Sequence, residues 1–233
     1  VDINKCLPSE LLHIIFAMLT CEDLKNVLFV CRRWREVGEA PVLWAGLGLK
    51  ISKNKNLITE LLDCGRLALV RKMTVHGLDA GLMLVLARHR GLRQLIVRSI
   101  ALVRQKDQQV FDRLLGRLVS GLSQVCLASN YLSVEQAEAV LGALSGTRLR
   151  RLNLGDNSKL HMVRPDMISQ AAGWLEELNL QRTGVTVEQA EAILTVINSK
   201  KTTMKNLNLS DCDKLTFGRD LSRVSPQLLA RAA

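Results

Sequence analysis

The chain has 233 residues, 48% of them hydrophobic but only 3% aromatic, and a formal net charge of +10. That length holds one large or two small domains around an aliphatic core, and no stretch approaches the ~18–20 apolar residues that span a bilayer. The charge is uneven, because residues 1–50 balance six basic against six acidic groups while residues 51–104 carry ten basic and three acidic.

The first element is predicted over Leu7 to Leu19, where Pro8 suits the opening turn of a helix. Leu11, Ile15 and Leu19 share one stripe, Leu12 and Phe16 lie beside it, and Ile14 and Met18 widen it. A secretory signal would need a positive start and a small-residue cleavage site, but Ser9 and Glu10 open this segment and Glu22 and Asp23 follow it. Thr20-Cys21-Glu22-Asp23 reads as a capping box that starts a second helix through Leu24, Val27, Leu28 and Val30. A third runs from Cys31 through Trp34 to Val37, stopped by Gly38, and Ala40 to Trp44 makes a compact exit. Three short helices in roughly 40 residues cannot hide this much apolar surface. Either the rest of the chain covers the excess or a partner does.

Beyond Trp44 the sequence repeats. VEQAEAVL at 134–141 returns as VEQAEAIL at 187–194, a shift of 53. A Leu-x-x-Leu-x-Leu frame starts at Val70, Leu92, Leu122, Leu149, Leu175 and Met204, with a weaker opening member at Trp44. The starts are 26, 22, 30, 27, 26 and 29 residues apart. Each frame alternates with period two, as a short strand with one buried face does. Helical spacing follows at Leu82 and Leu86; at Phe111, Leu114, Leu115 and Leu118; at Ala137, Val140, Leu141 and Leu144; and at Ala190, Ile193, Leu194 and Ile197. One such unit cannot bury its own face, so neighbours must stack, with parallel strands inside an arc and helices outside. The ninth frame position, where the strand turns away, is Asn130, Asn157 or Cys212, with Thr183 a weaker substitute and Leu78 and Ile100 departures.

This pattern resembles the leucine-rich repeat family over residues ~44–233; a doubly wound α/β enzyme is the competing reading of alternating strands and helices. The N-terminal residues carry a second resemblance. Leu7-Pro8-x-Glu10-Leu11-Leu12-x-x-Ile15-Phe16-x-x-Leu19, Asp23-Leu24, Val30-Cys31-Arg32-Arg33-Trp34 and Pro41-x-Leu43-Trp44 look like an F-box motif almost end to end. Together they resemble the F-box/leucine-rich-repeat substrate receptors of SCF (Skp–cullin–F-box) ubiquitin ligases. The resemblance implies an α/β fold in which a small three-helix F-box domain at 5–44 precedes a leucine-rich-repeat horseshoe at 45–233. It also implies that Leu7, Pro8, Leu11, Leu12, Ile15, Phe16, Leu19, Leu24, Val30, Cys31, Trp34, Leu43 and Trp44 serve adaptor binding, shared between core and interface in a division the sequence leaves open.

The strand frame places its third, fifth and seventh positions on the inner face. The expected substrate contacts are Lys72, Thr74, His76, Gln94, Ile96, Arg98, Gln124, Arg151, Asn153, Glu177, Asn179, Gln181, Asn206 and Asn208. Lys72 and Arg98, with Arg71 and Arg93 beside them, suit an acidic or phosphorylated protein segment. The alternative is a non-enzymatic repeat scaffold or a basic binder of nucleic acid or a membrane surface. One Tyr and four Phe in the whole chain make no stacking platform for single strands, so only weak, salt-sensitive nucleic-acid binding is expected. No Walker loop, G-x-S-x-G or H-E-x-x-H is present, and His13, His76, His89 and His161 stand apart from any cysteine pair. No enzyme activity, cofactor or metal is expected. Six scattered cysteines without a Cys-x-x-Cys pair suit reduced thiols in an intracellular protein, cytoplasmic or nuclear. A final helical pattern (Leu221, Val224, Leu228, Leu229) without a polar cap, and an initial valine, suggest a piece of a longer receptor.

Overall fold

The computed structural model describes residues 7–46, 48–51, 70–89, 91–100, 108–199 and 202–215. Its N-terminal unit holds α1 (Ser9–Ala17), α2 (Cys21–Val27), α3 (Arg32–Gly38) and α4 (Pro41–Gly46). The expected compact exit is therefore a fourth helix, with Pro41 in its first turn, where the missing N–H is not needed. Thr20 caps α2 by accepting the Asp23 N–H at 3.2 Å. The reciprocal half of the expected capping box is absent, because the Asp23 carboxylate instead accepts the Thr20 hydroxyl at 2.7 Å. Gly38 is the last residue of α3 rather than the residue beyond it, and its use is close packing. A Cβ there would lie 2.8 Å from Leu28 Cδ2 on α2.

The core of this unit is Leu12, Phe16, Leu24, Val27, Leu28, Val37, Leu43 and Trp44. Trp34 meets Phe16 edge to face at 5.4 Å, and the Trp44 indole N–H donates to the Gly38 carbonyl at 2.8 Å. Two arginines of α3 tie helix ends: Arg33 donates to the Leu7 carbonyl and Arg35 to that of Leu28 at 2.9 Å.

A parallel sheet follows directly, its described strands lying in chain order: β1 (Gly48–Ile51), β2 (Lys72–Leu78), β3 (Gln94–Ile100), β4 (Gln124–Cys126), β5 (Arg151–Asn153), β6 (Glu177–Asn179) and β7 (Asn206–Asn208). The register follows the frame. Lys72, Gln94, Gln124, Arg151, Glu177 and Asn206, all third positions, pair in sequence. One carbonyl per unit enforces it: Arg71, Arg93, Ser123, Arg150 and Glu176 each accept two successive N–H groups from the next unit. The opening frame needs correction. Gly48 pairs with Lys72 and Leu49 with Met73, so the frame starts two residues later than Trp44, which belongs to α4.

The connecting helices are α5 (Ala80–Arg88), α6 (Gln108–Ser120), α7 (Val134–Gly142), α8 (Pro165–Trp174) and α9 (Val187–Asn198), each packed on the next. The side chains expected to face inward do so at Leu82, Leu86, Leu114, Leu115, Leu118, Ala137, Val140, Leu141, Leu144, Ala190, Ile193, Leu194 and Ile197. α8, which the aliphatic spacing did not single out, buries Ile168, Ala171 and Ala172 after a 3-10 turn at Ser158–Met162. The 53-residue echo marks two full capping boxes, Ser133 with Gln136 and Thr186 with Gln189. The Lys53–Lys55 loop, the Phe111 side chain and the C-terminal helix expected from Leu221 lie outside the described residues. No described helix is long and apolar enough to cross a membrane.

Candidate interaction surfaces

The expected adaptor residues divide in two. Leu12, Phe16, Leu24, Leu43 and Trp44 are buried in the chain's own core. They are therefore not available as contact residues, and their part is to hold the helices together. Leu11, Ile15 and Val30 are exposed, Pro8 is exposed, and Leu7, Leu19, Cys31 and Trp34 are half-buried. The helix geometry explains the split. Residues four apart share a face, so Leu12 and Phe16 point inward together, while Leu11 and Ile15, one step round, point out.

The exposed face extends further than the expected set. Ile14, Met18, Phe29 and Val42 are also open to solvent, Met18 at 82%. Ile14 and Met18 were visible as a widening of the α1 stripe; Phe29 and Val42 sit in the turn after α2 and the first turn of α4, where periodicity gives no signal. Of the eleven large apolar side chains exposed among the described residues, seven lie between Leu11 and Val42. Such a concentration on a unit of about 40 residues marks a surface that a partner covers.

The second surface is the open face of the sheet. Frame positions one, four and six point to the helices and are buried, as at Leu149, Leu152 and Leu154. Positions three and five face away: Lys72, Arg151 and Asn206 are exposed, while Thr74, Gln94, Ile96, Gln124, Asn153, Glu177, Asn179 and Asn208 are half-buried. The seventh position departs from the simple frame. Register shifts around His76 pair it with Ser99, so exposed Arg98 falls out of line with exposed His76, next to Gly77 at φ +83°. Half-buried Gln181 lies beyond the end of β6.

Charge on this face is partly neutralised within the sheet. Arg151 pairs with Glu177 at 3.2 Å. At the strand starts, Lys205 donates to Glu176 at 2.7 Å, and that hydrogen bond chiefly holds the Glu176 carboxyl below its ordinary value. The basic groups at Lys72 and Arg98 have no acidic partner among the described residues.

At the strand exits a ladder of side chains replaces the sheet. Asn157 is fully buried and donates to the Leu127, Leu154 and Gly155 carbonyls at 3.0, 2.8 and 3.2 Å. Its Oδ1 accepts the N–H groups of Asn130 and Leu132 at 3.2 and 3.1 Å. Thr183 and Cys212 occupy the same position and both donate to the Leu180 carbonyl, at 2.5 and 3.3 Å. Leu78 departs from this chemistry and is buried instead as an apolar member. Among the described residues no group of His, Cys, Asp and Glu is placed to hold a metal ion.

No curated protein matches the chain in sequence. Residues 5–50 match the family model of the F-box-like domain, over the segment that contains α1 to α4 and the start of β1. Such a domain implies binding to a Skp-family adaptor and suggests a role in SCF assemblies, where F-box proteins generally act as substrate receptors rather than as enzymes. The chain thus carries an F-box-like domain at its N-terminus, followed by an α/β region built on a parallel sheet.

Proposed function

We propose that this chain is the substrate-recognition subunit of an SCF ubiquitin ligase. Residues 5–44 dock on the Skp-family adaptor and through it on the cullin, and residues 45–233 are leucine-rich repeats whose open, concave face takes a protein substrate. The observation that carries this reading is the concentration of exposed apolar side chains on an F-box-like unit whose own core is already complete. The chain performs no bond chemistry in this role. It raises the effective concentration of a substrate lysine near a conjugating enzyme whose cysteine belongs to another subunit. The product is a ubiquitinated protein destined for degradation, in the cytoplasm or nucleus. The sequential parallel strands, the unit length near 27 residues and the exit ladder support the repeat assignment.

Calorimetric titration of the purified chain with a Skp-family adaptor tests the reading. One-to-one binding is expected, since each buried Leu or Phe anchor contributes roughly 1.5–3 kcal/mol. Leu11→Asp with Ile15→Asp should abolish it without changing the circular dichroism. Leu12→Ala should act differently, opening the core at a cost of about 2–5 kcal/mol in stability. A folded, monomeric chain that ignores the adaptor overturns the ubiquitin-ligase role.

A further inference from the structure

Three consecutive strands, β5 to β7, carry asparagine at the fifth frame position, in register from Asn153 to Asn179 to Asn208. Each spends its side-chain oxygen in the same way. Asn153 Oδ1 accepts the Gly155 N–H at 2.9 Å, Asn179 Oδ1 that of Gln181 at 2.9 Å, and Asn208 Oδ1 that of Ser210 at 3.0 Å. Fixing Oδ1 fixes the other end of the amide, so each NH2 is oriented by the same turn. None of the three NH2 groups has an acceptor among the described residues, and the side chains are half-buried on the open face. Gly155 stands at the exit side of the row on β5 and is itself buried. A Cβ there would press to 3.2 Å from Asn153 Oδ1 and 3.3 Å from the Gln181 carbonyl.

The turn itself does not need an amide. A carboxylate, or a hydroxyl more weakly, accepts the same backbone N–H. What asparagine adds is a neutral, aimed donor, repeated on neighbouring strands ~4.8 Å apart. The other end of the face is also donor-rich, with exposed Lys72 on β2 and Arg98 on β3. The single carboxylate at the described third, fifth and seventh positions, Glu177, is held by Arg151 at 3.2 Å. Two independent features, net charge at one end and oriented amides at the other, therefore ask for the same chemistry.

We propose that the open face reads an acidic, extended segment of a protein substrate, with Asn153, Asn179 and Asn208 donating to its carboxylate and carbonyl oxygens and Lys72 and Arg98 setting its direction by charge. This rests on the substrate-receptor reading and names the substrate class. The amides select acceptors at short range, where geometry matters, and the cations act at longer range and are screened by salt.

The test uses the full chain bound to its adaptor and a fluorescein-labelled Glu-Ser repeat peptide of twelve residues, read by anisotropy. Lys-Ser and Gln-Ser peptides of the same length and a twelve-residue uridine RNA are the comparisons. The Glu-Ser peptide should bind tightest. Asn179→Asp keeps the turn acceptor and removes the donor, and should weaken Glu-Ser binding about tenfold or more with the melting midpoint little changed. Asn179→Ser, which also keeps an acceptor, should weaken it too, and it stands in if the aspartate variant fails to fold. Lys72→Glu with Arg98→Glu should weaken binding and flatten its salt dependence. Equal affinity for the Lys-Ser peptide, tighter binding of the RNA, or unchanged binding in both Asn179 variants overturns the proposal. Adaptor affinity, measured separately on the same samples, reports on the receptor reading alone.

Discussion

Tyr131 is held at φ +52°, a conformation that costs an L-residue with a bulky side chain ~1–2 kcal/mol. Its place in the fold explains the backbone but not the ring. It follows Asn130, the ninth frame position, and the matching residue two units on is Gly184, at φ +68°. The turn asks for a left-handed residue, glycine meets that demand in one unit, and tyrosine meets it under strain in the other. The ring returns nothing to the fold, being 86% exposed. Tyr131→Gly should therefore relieve the strain while adding ~0.5–1 kcal/mol of chain entropy to lose on folding. The expected net effect is a small rise in the urea midpoint, worth up to about 1 kcal/mol. A fall in the midpoint would show that the ring makes a stabilising contact. Two residues earlier, the eighth frame position repeats the same geometry without aromatic rings: Ser129, Asp156, Arg182 and Asp211 all have φ between 52° and 58°. Short polar side chains such as aspartate tolerate that region best; the longer Arg182 stands between two of them, 3.3 Å from Asp211 and 4.0 Å from Asp156.

Between elements, the units are held by groups that serve two units at once. Gln189 accepts the Thr186 N–H to complete its capping box and donates to the Leu160 and Val163 carbonyls at 3.0 and 2.5 Å. The echoed Val-Glu-Gln sequence thus encodes a helix start and, in α9, a tie to the preceding unit. Asn157 does more, joining the β4 and β5 exits through five hydrogen bonds. Asn157→Ala would strand two buried N–H groups and the Leu127 and Leu154 carbonyls, while the Gly155 carbonyl keeps the Ser129 N–H at 3.0 Å, at about 1–3 kcal/mol for each group left unsatisfied. A loss of at least ~3 kcal/mol in urea unfolding is expected, and a loss below 1 kcal/mol would mean that water or another donor replaces the side chain. This ladder was legible in the sequence because Asn130, Asn157 and Cys212 recur at one frame position. The strand register was legible for the same reason. The opening strand was misplaced because a slip of two residues keeps every side chain on its face, so alternation alone cannot detect it. α8 was passed over because its inward residues include Ala171 and Ala172, too small to stand out as an apolar stripe. The division of Leu11 from Leu12 was not legible either, since both are leucines on one broad stripe and only the positions of α3 and α4 decide which face is covered. On the sheet face, composition showed the polar residues, but the common turn that aims three asparagine amides exists only once the backbone beyond each strand is placed.

At the scale of the whole molecule, buried apolar residues from Leu12 to Leu215 form one connected cluster, yet each strand and helix of the sheet region packs mainly on its sequence neighbours. Connection of this kind is close to one-dimensional, so a local gain in stability is shared with the next unit and fades beyond it. Among the described residues the F-box-like unit meets the sheet at β1, which follows α4 in the chain and packs near α2. Adaptor binding adds stability by mass action, about 2.7 kcal/mol at a free concentration one hundred times the dissociation constant. That gain enters at α1 to α4, where the exposed apolar surface lies. Amide hydrogen exchange on the free and adaptor-bound chain should show the strongest slowing in α1 to α4, a smaller effect in β1 to β3 and little change in β5 to β7. Without the adaptor, Leu11, Ile15, Met18 and Phe29 leave a sticky face, so the free chain should also aggregate and regain solubility on coexpression. Equal slowing in α1 and β7 would show instead that the molecule opens as one cooperative block, with the substrate face tightened by the adaptor at the opposite end. Slowing confined to α1 to α4 would separate adaptor docking from substrate reading altogether, leaving the row of amides on β5 to β7 as rigid in the free chain as in the assembly.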